Sequence, residues 1–187
     1  VRLVGTVARV GERGALHYRA GSVRSRHLVA AWIDHLALEA AAPTGCLCSV
    51  GTKGTSHFEA VPRDEAAAFL SALVKGWRRA QTRSLPLYEN ASYAYAKKMS
   101  DAEIAEYRGR VLHPGPSHKP FRPSKSAMTA AEKAFDPFGD ARGDIDDPYV
   151  TLATRSRKPF EPEDHFMKWA LALWAPLLHH RRDGVPA

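Results

Sequence analysis

Residues 1–21 read VRLVGTVARVGERGALHYRAG, and the fold turns on this stretch. Residues 1–10 are rich in β-branched side chains, with Val4, Val7 and Val10 spaced through them, which predicts a strand. Gly11, Glu12, Arg13 and Gly14 supply a short connection, and ALHYRA (15–20) a second strand, so the segment reads as a β-hairpin. Gly21 and Ser22 break the pattern. From Ser25 the spacing becomes helical: Leu28, Trp32 and Leu36 share one face, which Val29 and Ile33 widen. Ser25 is the expected N-cap, and Pro43 with Gly45 stops the helix.

The same order then repeats. CLCSV (46–50), the turn Gly51-Thr52-Lys53-Gly54 and SHFEAV (56–61) form a second predicted hairpin. Pro62, Asp64 and Glu65 open a helix with a stripe of Ala66, Phe69, Leu70, Leu73, Val74 and Trp77. Acids at its start and Lys75, Arg78 and Arg79 at its end suit the helix dipole. Residues 1–80 thus give two strands, a helix, two strands and a helix, which predicts an α/β fold with a mixed central sheet and packed helices. Further on, SLPLY (84–88) is extended, and a short helix is expected from Asn90 to Lys98. Residues 113–126, with four prolines and Gly115, read as a loop, and 136–148 as an acidic turn region. An amphipathic helix closes the chain over 162–180, with Phe166, Trp169, Ala170, Leu173 and Leu177 on one side. All 187 residues are read as one domain.

At 44% hydrophobic and 25% charged, the composition is that of an ordinary globular chain. A core of this size needs neither disulfides nor a structural metal. The chain begins at Val1 inside an apolar stretch and is read as a piece of a longer polypeptide. With 27 Lys and Arg against 20 Asp and Glu, the net charge of +7 favours polyanions through release of phosphate counterions. Cys46 and Cys48 lie two apart on one strand face, and are read as buried reduced thiols. No apolar run reaches the roughly 18 residues of a membrane span, and the start has no signal-peptide pattern, so the cytoplasm is expected.

Motifs for common chemistries are missing. The chain has no glycine-rich phosphate loop and no Gly-x-Ser-x-Gly elbow. His179 and His180 are adjacent on a helix and point in different directions, so they are not read as a metal pair. Asp144, Asp146 and Asp147 lack the glycine and distant glutamate of a calcium loop, and are read as a solvated loop capping the next element. Trp32, Trp77, Trp169 and Trp174 lie on or beside apolar stripes and are read as core residues rather than base-stacking platforms. Phosphate contacts are sought among Arg24 with Arg26, Lys75 with Arg78, Arg79 and Arg83, Lys97 with Lys98, and Lys119 with Arg122 and Lys125.

The first hairpin resembles the core of the PD-(D/E)XK nuclease family in its RecB-like form. There one strand reads roughly Gly-Arg-Ile-Asp-Arg and the next Asp-Tyr-Lys-Thr-Gly, with two Mg²⁺-binding acids and a lysine that positions water. This chain has Gly5-Thr6-Val7-Ala8-Arg9 and His17-Tyr18-Arg19-Ala20-Gly21. Gly5, Arg9, Tyr18 and Gly21 match, whereas Ala8 and His17 replace the acids and Arg19 the lysine. Ala8 has no ligand atom, His17 suits a hard cation poorly, and Arg19 adds charge where a metal would sit. No catalytic or metal-ligating residue is therefore expected. The helix with Arg26-His27-Leu28, Trp32 and His35-Leu36-Ala37, then Leu85-Pro86-Leu87-Tyr88, Asp147-Pro148-Tyr149 and the 166–177 helix, is similar to the C-terminal domain of the RecC family, gamma subunits of bacterial exodeoxyribonuclease V.

That resemblance implies a three-layer αβα, restriction-endonuclease-like fold without working nuclease chemistry. It also implies partners: DNA at a fork or duplex end, and the RecB-like and RecD-like subunits that use ATP and Mg²⁺. Arg19, Arg24, Arg26, Lys75, Arg78 and Arg79 are the expected DNA contacts of a strand-guiding domain. Two other readings compete: a module that docks the partner subunits and hardly touches DNA, and a nuclease whose acids have moved to Asp34, Glu39 or Glu59.

Overall fold

Two short strands run parallel because a long helix carries the chain back between them. In the computed structural model, which describes residues 3–11, 14–42, 47–113, 124–138, 141–155 and 158–184, β1 is Val10–Gly11 and β2 is Gly14–Tyr18. Helix α1, Ser25–Ala41, crosses to β3, Leu47–Gly51, and a tight turn leads to β4, Gly54–Phe58. Helix α2 spans Arg63–Ala80. There follow α3 (Glu89–Lys97), α4 (Asp101–Leu112), α5 (Lys125–Phe135), a 3₁₀ turn (Asp144–Asp146), α6 (Pro148–Thr154), α7 (Glu163–His180) and β5 (Arg181–Asp183). The strands form one sheet in the order β1-β2-β3-β4-β5, parallel at β2–β3 and antiparallel elsewhere. The α/β class and the mixed sheet are as the sequence predicts, and consistent with the expected three-layer αβα arrangement.

The chain divides into two compact units: residues 1–71 with 180–187, and residues 72–179. In the first, sheet register sorts the side chains. Ala15, His17, Ser49, Ser56 and Phe58 share the face toward α1, where Ala15, Ser49, Ser56 and Phe58 are buried. Trp32, 1% exposed, is the centre of this core, with ring centroids 5.1 Å from Phe58, 5.7 Å from His35 and His180, and 6.2 Å from Phe69. His35 packs beside it, fully buried, with Nε2 2.9 Å from the Glu59 carbonyl oxygen. Burial holds its pKa below the ordinary 6.5, against the raising pull of that carbonyl and of Glu39.

In the second unit the Trp174 indole donates to Ser92 Oγ at 2.9 Å, which ties α7 to α3. Phe166 stacks on Tyr88 and meets Tyr95 and Phe160 edge-on, and Phe135 closes the cluster from α5.

The structure differs from the sequence expectations at several points. Among the described residues of the predicted 1–10 strand, only Val10 lies in a strand, and Gly11, expected in the turn, completes β1. Arg9 takes φ 61, a left-handed conformation that ends the extended run, and Leu3 and Val4, 57% and 83% exposed, have no core to enter. Arg24 is the N-cap of α1, with Ser25 its first residue, and His27 Nδ1 accepts the Arg24 backbone N–H at 2.9 Å. Trp77 is 63% exposed, so it is not a core residue. Of the expected 113–126 loop, residues 114–123 lie outside the described residues, as does Cys46, and Lys125 already begins α5. Cys48 is half-buried rather than buried.

Asp144 departs from the solvated-loop reading. It is 5% exposed, and its carboxylate accepts from the N–H groups of Asn90 (2.9 Å) and Ala91 (2.7 Å) at the start of α3. Asp147 does cap the next helix, accepting from Tyr149 N–H at 2.8 Å.

Candidate nucleic-acid interface

Parallel neighbours β2 and β3 end at the same edge of the sheet, and the chain leaves both there. In open α/β sheets that edge is where ligands collect, because backbone ends and loop side chains converge on it. The departing segment is pinned: Arg19 N–H donates to the Val50 carbonyl at 3.1 Å, and Thr52 N–H to the Gly21 carbonyl at 3.0 Å. Gly51 permits this close approach, since a Cβ there would sit 2.8 Å from both Gly21 O and Val23 Cγ2. Gly51→Ala is therefore expected to destabilise the chain by about 1–3 kcal/mol, as overpacking against a backbone atom does. Urea denaturation checks it; an unchanged midpoint would show that the 19–23 segment is not held as described.

Between these ends lies a cleft of about 130 Å³, lined by His17, Tyr18, Arg19, His27, Ser49 and Val50 among others. His17 is half-buried on β2, with Nε2 2.9 Å from Asp34 Oδ2 on α1. The Arg19 guanidinium packs against the His27 ring. Arg9 Cζ lies 4.4 Å from the Tyr18 ring centroid, a cation–π distance. The adjoining surface holds a second, wider cleft that sequence reasoning missed, lined by Lys53, Thr55, Ser56, Arg181 and Asp183 among others. Its β5 residues, Arg-Arg-Asp, carry no strand signal.

Of the three positions that replace the nuclease triad, the cleft brings together His17 and Arg19. Ala8 is exposed in the irregular segment before β1 and does not line it. Arg24 and Arg26 are exposed at the start of α1. Lys75, Arg78 and Arg79 are exposed on the last turns of α2, in the other compact unit, so the six expected DNA contacts form two groups. Trp77 is exposed on the same last turns of α2, on a different side from Lys75 and Arg79, and Arg79 Cζ lies 5.9 Å from the Trp169 ring centroid. Lys97 Nζ is 5.9 Å from the Tyr93 ring. Lys119 and Arg122 lie outside the described residues.

The acids weighed for a relocated metal site are dispersed. Asp34 meets His17, Glu39 is buried within α1 at 1% exposure, and Glu59 Oε2 pairs with Arg182 Nη2 at 2.7 Å. Among the described residues, no group of three or more His, Cys, Asp or Glu side chains is placed to hold a metal ion. Nor, among these residues, is any helix long and apolar enough to cross a membrane.

One family model, described as the RecC C-terminal domain, matches residues 1–100, from the N-terminal segment through α3. Residues 101–187, with the Asp147-Pro148-Tyr149 and 166–177 similarities, lie beyond that match. No curated protein matches the chain.

Proposed function

Because the chain belongs to the RecC C-terminal domain family, we propose that it serves the bacterial cytoplasmic complex exodeoxyribonuclease V as a non-catalytic, nuclease-like domain that guides DNA strands as they part during double-strand break repair. The supporting observation is the end of α2, whose last turns carry Trp77, 63% exposed, together with exposed Lys75, Arg78 and Arg79 on other sides of the same helix. An exposed aromatic ring on a helix end that also carries cations suits an unpaired strand: bases stack on the ring while cations round the helix neutralise phosphates. The absent nuclease chemistry is supported by the residues themselves, since Ala8, His17 and Arg19 offer no carboxylate to a metal. ATP-driven work and Mg²⁺-dependent cutting fall in this reading to the RecB-like and RecD-like partners.

The test is a titration of the chain against labelled forked DNA and blunt duplex over a range of salt. The fork should bind more tightly, with affinity falling steeply as salt rises. Replacing Lys75, Arg78 and Arg79 together by alanine should lower the log–log salt slope by about 2–3, at about 0.9 for each phosphate no longer neutralised. Trp77→Ala should weaken fork binding about tenfold or more, the loss of one stacked base. Binding indifferent to DNA structure would overturn the strand-guiding reading, and reproducible digestion of linear DNA in Mg²⁺ or Mn²⁺ the non-catalytic one.

A second reading, a subunit-docking module, is favoured by the sheet face turned away from α1. There Leu16, Tyr18 and Val50 are 42%, 60% and 36% exposed across the parallel β2–β3 pair. Parallel strands are ordinarily covered on both faces, so a partner subunit fits this surface. Under that reading Leu16→Glu should abolish capture by the RecB-like subunit while fork binding persists.

A further inference from the structure

We propose that the outward face of α6, with Phe138 near its base, is a docking knob for a protein surface that offers an apolar groove with a basic rim, carried by another subunit of the same complex. The choice of partner rests on the family reading. Neither the strand-guiding proposal nor the sheet face turned away from α1 is needed for it.

Very little holds α6 in place. Asp147 and Pro148 suit a helix start, and Asp147 Oδ1 accepts the Tyr149 N–H at 2.8 Å. Thr151 Oγ1 donates to the Ile145 carbonyl at 2.6 Å, which fastens the helix back to the 3₁₀ turn, and Asp144 moors that turn to α3. None of the seven residues of α6 is buried. A helix this short is not stable in water alone, and helices in proteins persist mainly by packing an apolar face. Tyr149 and Leu152, three apart on one side, form such a face and turn it to solvent, 83% and 58% exposed. Phe138 adds a third apolar side chain. At 96% it is the most exposed large apolar residue among those described. Gly143 packs this stretch against the turn before α6, since a Cβ there would collide with Pro137 Cδ and the Phe135 carbonyl oxygen.

Charge decides what covers this surface. Residues 136–155 contain five aspartates and two arginines, in a chain whose net charge is +7. Asp136 lies two positions before Phe138, Asp146 and Asp147 directly precede α6, and all three are exposed. An acidic surface repels phosphate, so a DNA strand does not suit it. Apolar anchors at i and i+3 on a helix suit the helix-in-groove mode, in which they enter an apolar groove on a protein partner. Lys and Arg on the rim of that groove complement the aspartates, steer the encounter and fix its register. Two copies of this chain, each at +7, repel one another overall, so a different subunit is the occupant.

The test measures binding of residues 1–187 to the purified RecB-like and RecD-like subunits, each alone and then together, by biolayer interferometry. At least one should be captured. Tyr149→Ala combined with Leu152→Ala should weaken capture about tenfold or more, and Phe138→Ala by less. These side chains are exposed, so the thermal midpoint and the affinity for forked DNA should hold. Should the double variant lower the midpoint, Phe138→Ala, which lies outside the helix, carries the same reading. Asp136→Lys should weaken capture about threefold at low salt, a difference that disappears at high salt. Unchanged capture in the double variant, no capture of the unsubstituted chain, or tighter capture in Asp136→Lys would each overturn the docking surface. Loss of fork binding in the double variant would give the surface to DNA instead, and loss of self-association would give it to a second copy. The strand-guiding reading fails separately, if the chain ignores the fork while capture still depends on Tyr149 and Leu152.

Discussion

Trp32→Ala should lower the stability of the unit formed by residues 1–71 and 180–187 by about 4 kcal/mol, within the range for a buried large aromatic. The indole is 1% exposed and meets Phe58, Phe69, His35 and His180 in one cluster, so removing it takes its apolar surface from the core and leaves a void that four rings border. Those rings come from α1, β4, α2 and the end of α7, so no single backbone shift closes the gap. A loss of this size is a large share of the roughly 5–15 kcal/mol that holds a domain together. Hydrogen exchange resolved along the chain is the measurement: protection should fall across α1 and β2–β4 together. Trp32→Phe should recover a good part of it. The same helix carries His27 and Asp34, so the cleft should loosen with the core. A loss under about 1 kcal/mol would mean that the cluster is not packed as described.

Asp144→Ala should destabilise residues 72–179 by about 3 kcal/mol. The carboxylate takes the backbone N–H groups of Asn90 and Ala91 and the Asn90 side-chain amide, so its removal strands the buried Ala91 N–H and two part-buried Asn90 donors. Thermal denaturation gives the magnitude, and Asp144→Asn should cost less because its carbonyl still accepts from one of them. Burial raises the Asp144 pKa above the ordinary 3.8, although the N–H groups of Asn90 and Ala91 pull it down. The folded chain therefore binds this proton more readily than the unfolded one. The resulting stability is fully present below pH 3.8 and is lost as pH rises through the folded value. The Asp144→Asn penalty should accordingly be largest in acid and shrink toward neutrality. A penalty that grows with pH would reverse the assignment.

The difference between these two residues shows what the sequence makes legible. Trp32 sits with Leu28 and Leu36 at helical spacing, and periodicity alone predicts its burial. The order of two hairpins and two helices was readable for the same reason, since each element repeats its own apolar period. Asp144 acts 54 positions from Asn90, and no local pattern records such a pairing. Helix α4 did carry a signal, the Ser100–Glu103 capping box, in which Glu103 N–H donates to Ser100 Oγ at 3.3 Å and Glu103 Oε2 accepts from Ser100 N–H at 2.8 Å. Helix α5 buries mostly small residues, Ala127 and Ala131 beside Met128 and Phe135, which weakens its stripe. Trp77 lies on the apolar stripe of α2 yet faces solvent, because α2 buries little beyond Ala66 and Phe69. At the site, aligned positions pointed to His17 and Arg19. His27 became visible only once α1 was placed against the end of β2.

Strand β5 has a consequence for how the molecule comes into being. Its residues, Arg181–Asp183, pair with Ser56–Phe58 of β4, so the last rung of the sheet is recruited from the far end of the chain. On the ribosome, β1 to β4 emerge long before their neighbour does, and β4 waits with an open hydrogen-bonding rim while all of residues 72–179 are made. Closing so long a loop is slow, and an open rim in the meantime is a template for pairing with another nascent chain. A fragment ending at residue 100, where the family match stops, would keep that rim permanently bare and should self-associate more readily than residues 1–187.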